Sequence, residues 1–150
     1  MEKLLISACL TGENCKYDGG NNALPPETLA ALRGRYELVP VCPERLGGLP
    51  TPRVPSERRD GRVVSRAGED VTEAFRCGAE EALRIARENG CRRALLKTNS
   101  PSCGSGTIYD GSFSGTLTGG YGVAAELLIH EKIEVFGGCF RADLSLCSVI

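Results

Sequence analysis

The chain has 150 residues, with 18 Lys and Arg against 19 Asp and Glu, and a formal net charge of −1. That length suffices for one folded domain with a real core, and the balanced charge offers no electrostatic footprint for nucleic acid or a membrane surface. No apolar run reaches about 18 residues, so no membrane-spanning helix is expected. Met1-Glu2-Lys3 leads into only three apolar residues, Leu4-Leu5-Ile6, before Ser7 and Ala8. That is a first strand and not a signal peptide, and the expected compartment is the cytosol. Eight Cys in such a setting need explaining. Disulfides are rare in a reducing cytosol, so metal or cluster ligation and catalysis are the stronger readings.

In chain order, Lys3–Ser7 reads as the first strand. A turn-rich loop follows, from Ala8 to Gly20, carrying Cys9 and Cys15. Pro25-Pro26 precede a short helix over Glu27–Leu32, ended by Gly34. Tyr36–Val41 is the second strand. The next segment, Cys42 to Pro55, holds four of the eight Pro and reads as an irregular loop that cannot be a helix. Ser56–Ala67 is strongly charged and reads as a solvated excursion, with Arg62–Ser65 as a hairpin arm. Its functional alternative, shared with the preceding loop, is that Arg53 or Arg58 holds an anionic or polar substrate group. Asp70 and Glu73 make a capping-box pattern at the head of the longest helix. Ala74, Phe75, Ala79, Ala82, Leu83 and Ala86 then recur at helical spacing, up to Asn89-Gly90. Cys77 and Cys91, on or beside that helix, read as small packing residues.

Arg93–Lys97 is the third strand. It leads into Thr98-Asn99-Ser100-Pro101-Ser102-Cys103-Gly104, where the strand pattern stops and turn residues take over. Tyr109–Gly115 is a further loop, Gly119–Glu131 a second amphipathic helix and Lys132–Phe136 the fourth strand. The tail 137–150, with Cys139 and Cys147, has no clear period. Strands alternating with helices predict a single α/β domain over residues 1–150. Its expected form is a mainly parallel, Rossmann-like sheet flanked by helices. Ligands of such sheets bind outside the carboxyl ends of the strands. Cys9, Cys42 and Cys103 each fall just past the carboxyl end of a predicted strand, so three loops bring three thiols toward one crevice.

Structural zinc favours local Cys-x-x-Cys pairs, and the chain has none; Cys9 and Cys15 are too widely spaced. His130, the single His, sits on a helix and reads as a surface or partly buried residue, so a Cys–His nucleophilic pair is a poor candidate. An iron–sulfur cluster suits thiolates on Gly-rich loops better. With three protein ligands, one iron stays open as a soft Lewis acid, which predicts non-redox chemistry on a sulfur-bearing or hydroxy-acid substrate. Two other readings remain: a non-catalytic metal-binding or redox-sensing module, and a structural domain unusually rich in Cys.

Three motifs carry a family resemblance. The first is Ser7-Ala8-Cys9-Leu10 with Cys15-Lys16-Tyr17-Asp18-Gly19. The second is Val41-Cys42-Pro43-Glu44 with Gly47-Gly48-Leu49-Pro50-Thr51-Pro52-Arg53. The third is Ser100-Pro101-Ser102-Cys103-Gly104 with Ile108-Tyr109-Asp110-Gly111. Together, over roughly residues 4–136, they resemble the 2-thiouracil desulfurase family, formerly a domain of unknown function. The resemblance implies a [4Fe-4S] cluster held by Cys9, Cys42 and Cys103, whose open iron takes the sulfur of a thiolated pyrimidine. Water then replaces that sulfur on the ring and hydrogen sulfide leaves. It implies Glu44 as general acid/base and Ser100 as the group that positions water or ring; the plainer alternatives are a surface carboxylate or helix-cap acceptor for Glu44 and a turn-forming hydroxyl bonding its own loop for Ser100. Cys15 is a candidate further thiol at the cluster, or a buried packing residue. Asp18 and Asp110 read as loop-ordering carboxylates, with a substrate contact as the alternative, and Ser102 keeps a local hydrogen-bonding role.

Overall fold

The structure, a computed structural model, describes residues 1–137. Gly137, placed in the unassigned tail, is the last residue of the fourth sheet strand, and the rest of the tail, with Cys139 and Cys147, lies outside the described residues. The expected α/β architecture is present. Strands β1 (Glu2–Ser7), β2 (Tyr36–Val41), β5 (Arg93–Leu96) and β8 (Glu134–Gly137) form a parallel sheet in the order β2-β1-β5-β8. Helices α1 (Pro26–Arg35), α3 (Thr72–Glu88) and α4 (Val123–His130) flank it.

A parallel sheet covered on both faces needs apolar side chains on both, because each strand alternates its residues between them. Leu5, Ala94 and Leu96 join Ala82, Leu83 and Ala86 of α3 and Ala125 and Leu128 of α4 on one side. Leu4, Ile6 and Leu95 meet Leu29 and Leu32 of α1 on the other. Burial of each such Leu contributes about 1.5–3 kcal/mol. Among the described residues no helix is long and apolar enough to cross a membrane.

Several elements differ from the expectations, each for a local reason. The segment after Cys42 does contain a helix, the single turn α2 (Pro43–Leu46). Pro43 stands in its first turn, where a missing N–H costs nothing. Gly34 lies inside α1 and does not end it. The capping box at α3 does not form. Asp70 instead accepts from the Thr72 N–H at 2.9 Å and from Arg62 Nε at 2.8 Å, while Glu73 pairs with Arg76. Cys77 is exposed on α3 and packs against no core, whereas Cys91 is buried in it.

The hairpin arm expected at Arg62–Ser65 is present, and Ser56–Ala67 is only partly solvated. It is a hairpin of β3 (Ser56–Arg59) and β4 (Arg62–Ser65), with Val63 and Ser65 buried. A second hairpin, β6 (Ser105–Tyr109) with β7 (Leu117–Tyr121), occupies the start of the predicted second helix. Gly119 and Gly120 are poor helix formers, and α4 begins only at Val123.

One contact ties α2 to α3 at backbone distance. A Cβ on Gly78 would lie 1.8 Å from the Pro43 carbonyl oxygen, and one on Gly47 would lie 1.9 Å from the Ala74 carbonyl oxygen. Rigid backbone stands on both sides, so neither clash can be relieved by turning a side chain. Gly78→Ala should therefore destabilise the protein by about 3 kcal/mol, at the upper end of overpacking costs. The urea midpoint of the purified variant checks this.

Candidate active site

The strand register decides what meets at the carboxyl edge of the sheet. Ser7 of β1 lies level with Val41 of β2, and Ile6 lies level with Leu95 of β5. Cys9 therefore sits on a 3-10 turn, Ala8–Thr11, directly after β1, and Cys42 stands at the head of α2 directly after β2. The buried Ser7 hydroxyl accepts the Lys97 N–H at 2.9 Å, which holds the exit of β5 against β1.

The Cys103 loop is pinned from its far side. The N–H groups of Val123 and Ala124 donate to the carbonyls of Pro101 and Ser102, both at 2.9 Å, and the Ala125 N–H reaches the Ser102 carbonyl at 3.1 Å. The loop thus caps the first turn of α4, whose donors would otherwise go unpaired.

Cys9, Cys42 and Cys103 line one cavity of about 470 Å³, together with Glu44 and Ser100. Cys15, buried, lines it as well. The thiols influence one another. A hydrogen bond from Cys15 is the largest effect on Cys42 and on Cys9, and it lowers them to about 6 and about 7 despite burial. Cys15, sharing its proton with both, is correspondingly raised. Burial pushes Cys103 up to about 12, against opposing hydrogen bonds from Ser7 and Ser102.

Among the described residues, no three His, Cys, Asp or Glu side chains are gathered tightly enough for a single metal ion. The thiols are distributed around a cavity wall instead. All-sulfur donors on three separate loops fit an iron–sulfur cluster better than mononuclear zinc.

Glu44 reaches the cavity from α2 and is held at both oxygens. Arg53 Nε donates to Oε1 at 2.9 Å, and Ser102 Oγ donates to Oε2 at 3.0 Å. The Arg53 and Glu44 side chains are only 7% and 15% exposed. Arg53 also donates to the carbonyls of Pro50 and Cys15, at 3.1 and 3.0 Å. Its guanidinium is thereby committed to protein partners, and it orders Glu44 and the Cys15 loop rather than waiting for a substrate anion. Arg58 lies outside the cavity lining and donates to the Tyr121 carbonyl and to Glu126.

Asp18 and Asp110 order their loops, accepting from the N–H groups of Gly20 and Ser112, both at 2.9 Å. His130 is exposed at the end of α4. The reading of Ser102 as purely local needs correction, because its hydroxyl bonds a carboxylate 58 positions away. Glu57 is a participant that sequence reasoning missed. Its carboxylate accepts the N–H groups of Gly111 and Phe113, at 3.0 and 3.1 Å, and holds Phe113 at the cavity wall. A Glu within a charged run carries no sequence signal for such a role.

Fold and site together define an α/β protein with a thiol-lined cavity at the carboxyl edge of a parallel sheet. The family model described as 2-thiouracil desulfurase matches residues 4–138, and the chain belongs to that family. A solved structure named [4Fe-4S]-dependent thiouracil desulfidase TudS is 46% identical, with a TM-score of 0.87 and 91% of each chain covered. The Bacillus subtilis (strain 168) protein YbbK, described as uncharacterized, is 43% identical over 142 residues, spanning 88% of this chain and 93% of its own.

Two outcomes follow from this geometry. Replacing Arg53 with Ala leaves a largely buried carboxylate uncompensated, and should cost about 3–5 kcal/mol of stability in chemical denaturation of the metal-free protein. In the same metal-free, reduced protein, iodoacetamide should label Cys42 and Cys9 as thiolates. Their rates should reach half-maximum near pH 6 and pH 7, while buried Cys103 stays protonated and unlabelled at pH 8. Peptide mass spectrometry across that pH range reads both.

Proposed function

We propose that this protein removes sulfur from a thiolated pyrimidine such as 2-thiouracil, without net redox change, at a [4Fe-4S] cluster held by Cys9, Cys42 and Cys103. Family membership and the name of the solved relative support the activity class. The observation that carries the reading is that one cavity is lined by Cys9, Cys15, Cys42 and Cys103 and by the doubly held Glu44. When bound, the cluster would supply an open, thiophilic iron as a Lewis acid for the substrate sulfur.

The chain's own residues account for the remainder. Cys42 and Cys9 are both lowered toward or below neutral pH, so their deprotonation to serve as ligands costs little. Cys15 keeps its proton and supports its two neighbours. Tyr17 and Phe113, in the cavity wall, provide apolar surface for a flat ring and help exclude water. Glu44 takes a proton from the attacking water and returns it toward the departing sulfur. Ser100 orders the Cys103 loop beside that water, accepting the Ser102 and Cys103 N–H groups. The oxygen of one water ends on the ring carbon and both its protons leave with sulfur as hydrogen sulfide, so no oxidant or reductant is consumed. A reducing cytosol keeps the thiols available.

A redox-sensing module would need the thiols but not the buried Arg53–Glu44–Ser102 arrangement beside them. Anaerobic reconstitution, with iron and acid-labile sulfide assays and chromatography of 2-thiouracil and uracil, tests the choice. The expected result is about four irons per chain, with uracil and sulfide formed in equal amounts. Cys103→Ala should lose cluster and turnover together. Glu44→Gln should keep its iron and lose turnover by about 100-fold or more. Zinc in place of iron, with no sulfide released, would overturn the reading.

A further inference from the structure

The hydrogen bonds around Ser100 leave its hydroxyl only one direction. A serine hydroxyl has two lone pairs and one proton. Ser100 Oγ accepts the N–H groups of Ser102 and Cys103, at 3.1 and 3.0 Å, which fills both lone pairs. Its proton must therefore be donated, and Ser102 Oγ lies 3.0 Å away. Ser102 then has one proton to place. Glu44 Oε2 at 3.0 Å is a charged acceptor, whereas Cys103 Sγ at 3.6 Å is a weak one. Arg53 already holds Glu44 Oε1, so Oε2 is the oxygen turned to the serine.

We propose that Ser102 is a positioning residue that links Ser100 to Glu44, forming one directed chain from the Ser100 O–H through the Ser102 O–H to Glu44 Oε2. The inference rests on the desulfuration reading above. It deepens that reading, since no direct bond joins Ser100 to Glu44 in the structure. Both Ser100 lone pairs are filled, so Ser100 takes no proton; the chain fixes Glu44 Oε2, and the carboxylate takes a proton from the attacking water itself through a lone pair that Arg53 and Ser102 leave free. One proton has then moved from water to Glu44, both serines keep their own protons, and no electrons are exchanged. Glu44 then returns that proton to the departing sulfur. The two serines thus act as a unit, and neither is spare.

The structural duties of position 102 fall to its backbone. Its carbonyl caps α4 through Ala124 and Ala125, and its N–H orders Ser100. Alanine keeps both, so Ser102→Ala should fold and load normally. Its buried site, 3% exposed, also gives water little room to replace the lost hydroxyl.

The test compares wild type, Ser102→Ala and Ser102→Thr after identical reconstitution. Ser102→Ala should retain its iron and acid-labile sulfide, change KM less than about twofold, and lose kcat by about 10- to 100-fold, part of the ~10²- to 10⁴-fold that a well-placed acid/base contributes. Ser102→Thr, which keeps the hydroxyl, should recover most of that kcat. As a readout independent of turnover, the Glu44 carboxylate carbon is followed by ¹³C NMR in the metal-free protein. Its signal should move in Ser102→Ala and stay near the wild-type position in Ser102→Thr. Wild-type kcat in Ser102→Ala would overturn the proposal, as would loss of iron in that variant or an unmoved Glu44 signal. Failure of an iron-loaded Ser102→Thr to recover would do the same. If the wild type released no sulfide, the activity reading would fall, and the Glu44 signal would still judge the chain.

Discussion

Ser7 receives the Lys97 N–H beyond the last paired residues of β1 and β5, and that bond closes the carboxyl edge of the sheet. Because β2, β1 and β5 are parallel and adjacent, their exits open side by side. The loops bearing Cys42, Cys9 and Cys103 have no choice but to share the space above that edge. Parallel strands require long crossovers, here α1 and α3 with their flanking segments, and these helices also bury the two faces of the sheet. The packing that stabilises the domain and the geometry that gathers the thiols are therefore one arrangement.

The site accommodates charge by pairing it. A carboxylate with so little exposure would be costly alone, and Arg53 on one oxygen with Ser102 on the other removes most of that cost. The sulfurs follow the same rule. Cys15 gives hydrogen bonds to Cys42 and Cys9, and both are thereby eased into the ionised form. Cys103 lacks that support and stays protonated in the metal-free protein because it is buried. The thiols of the cavity are thus unequal, although they are chemically the same group.

Much of this was legible in the chain. The apolar runs at Leu4-Leu5-Ile6 and Ala94-Leu95-Leu96 announce strands covered on both faces, and the helical spacing from Phe75 to Ala86 announces the helix that covers one of them. Cys9, Cys42 and Cys103 then fall at strand ends by counting alone. What failed was local. One turn of helix after Cys42 is too short to show a period, and it forms because Gly47 and Gly78 let α2 lie against the backbone of α3. The end of β7, Gly119–Tyr121, reads as the start of a helix because the apolar pattern of α4 runs back toward two glycines that belong to a strand. Ser56–Ala67 looked solvated because its charges are many, and nothing local marks Val63 as its anchor.

Residue order alone thus specified the α/β class, the three thiol-bearing loops and the family, because hydrophobic period, turn residues and motif spacing are properties of neighbours along the chain. The partners of Glu44 could not be read that way. Arg53 looked like a substrate clamp and Ser102 like a turn residue until folding brought them to opposite oxygens of one carboxylate. Hydrogen bonds between residues far apart in sequence are made by side chains whose directions depend on packing. Only the assembled sheet, with α2 against α3 and the Cys103 loop against α4, decides where those side chains point.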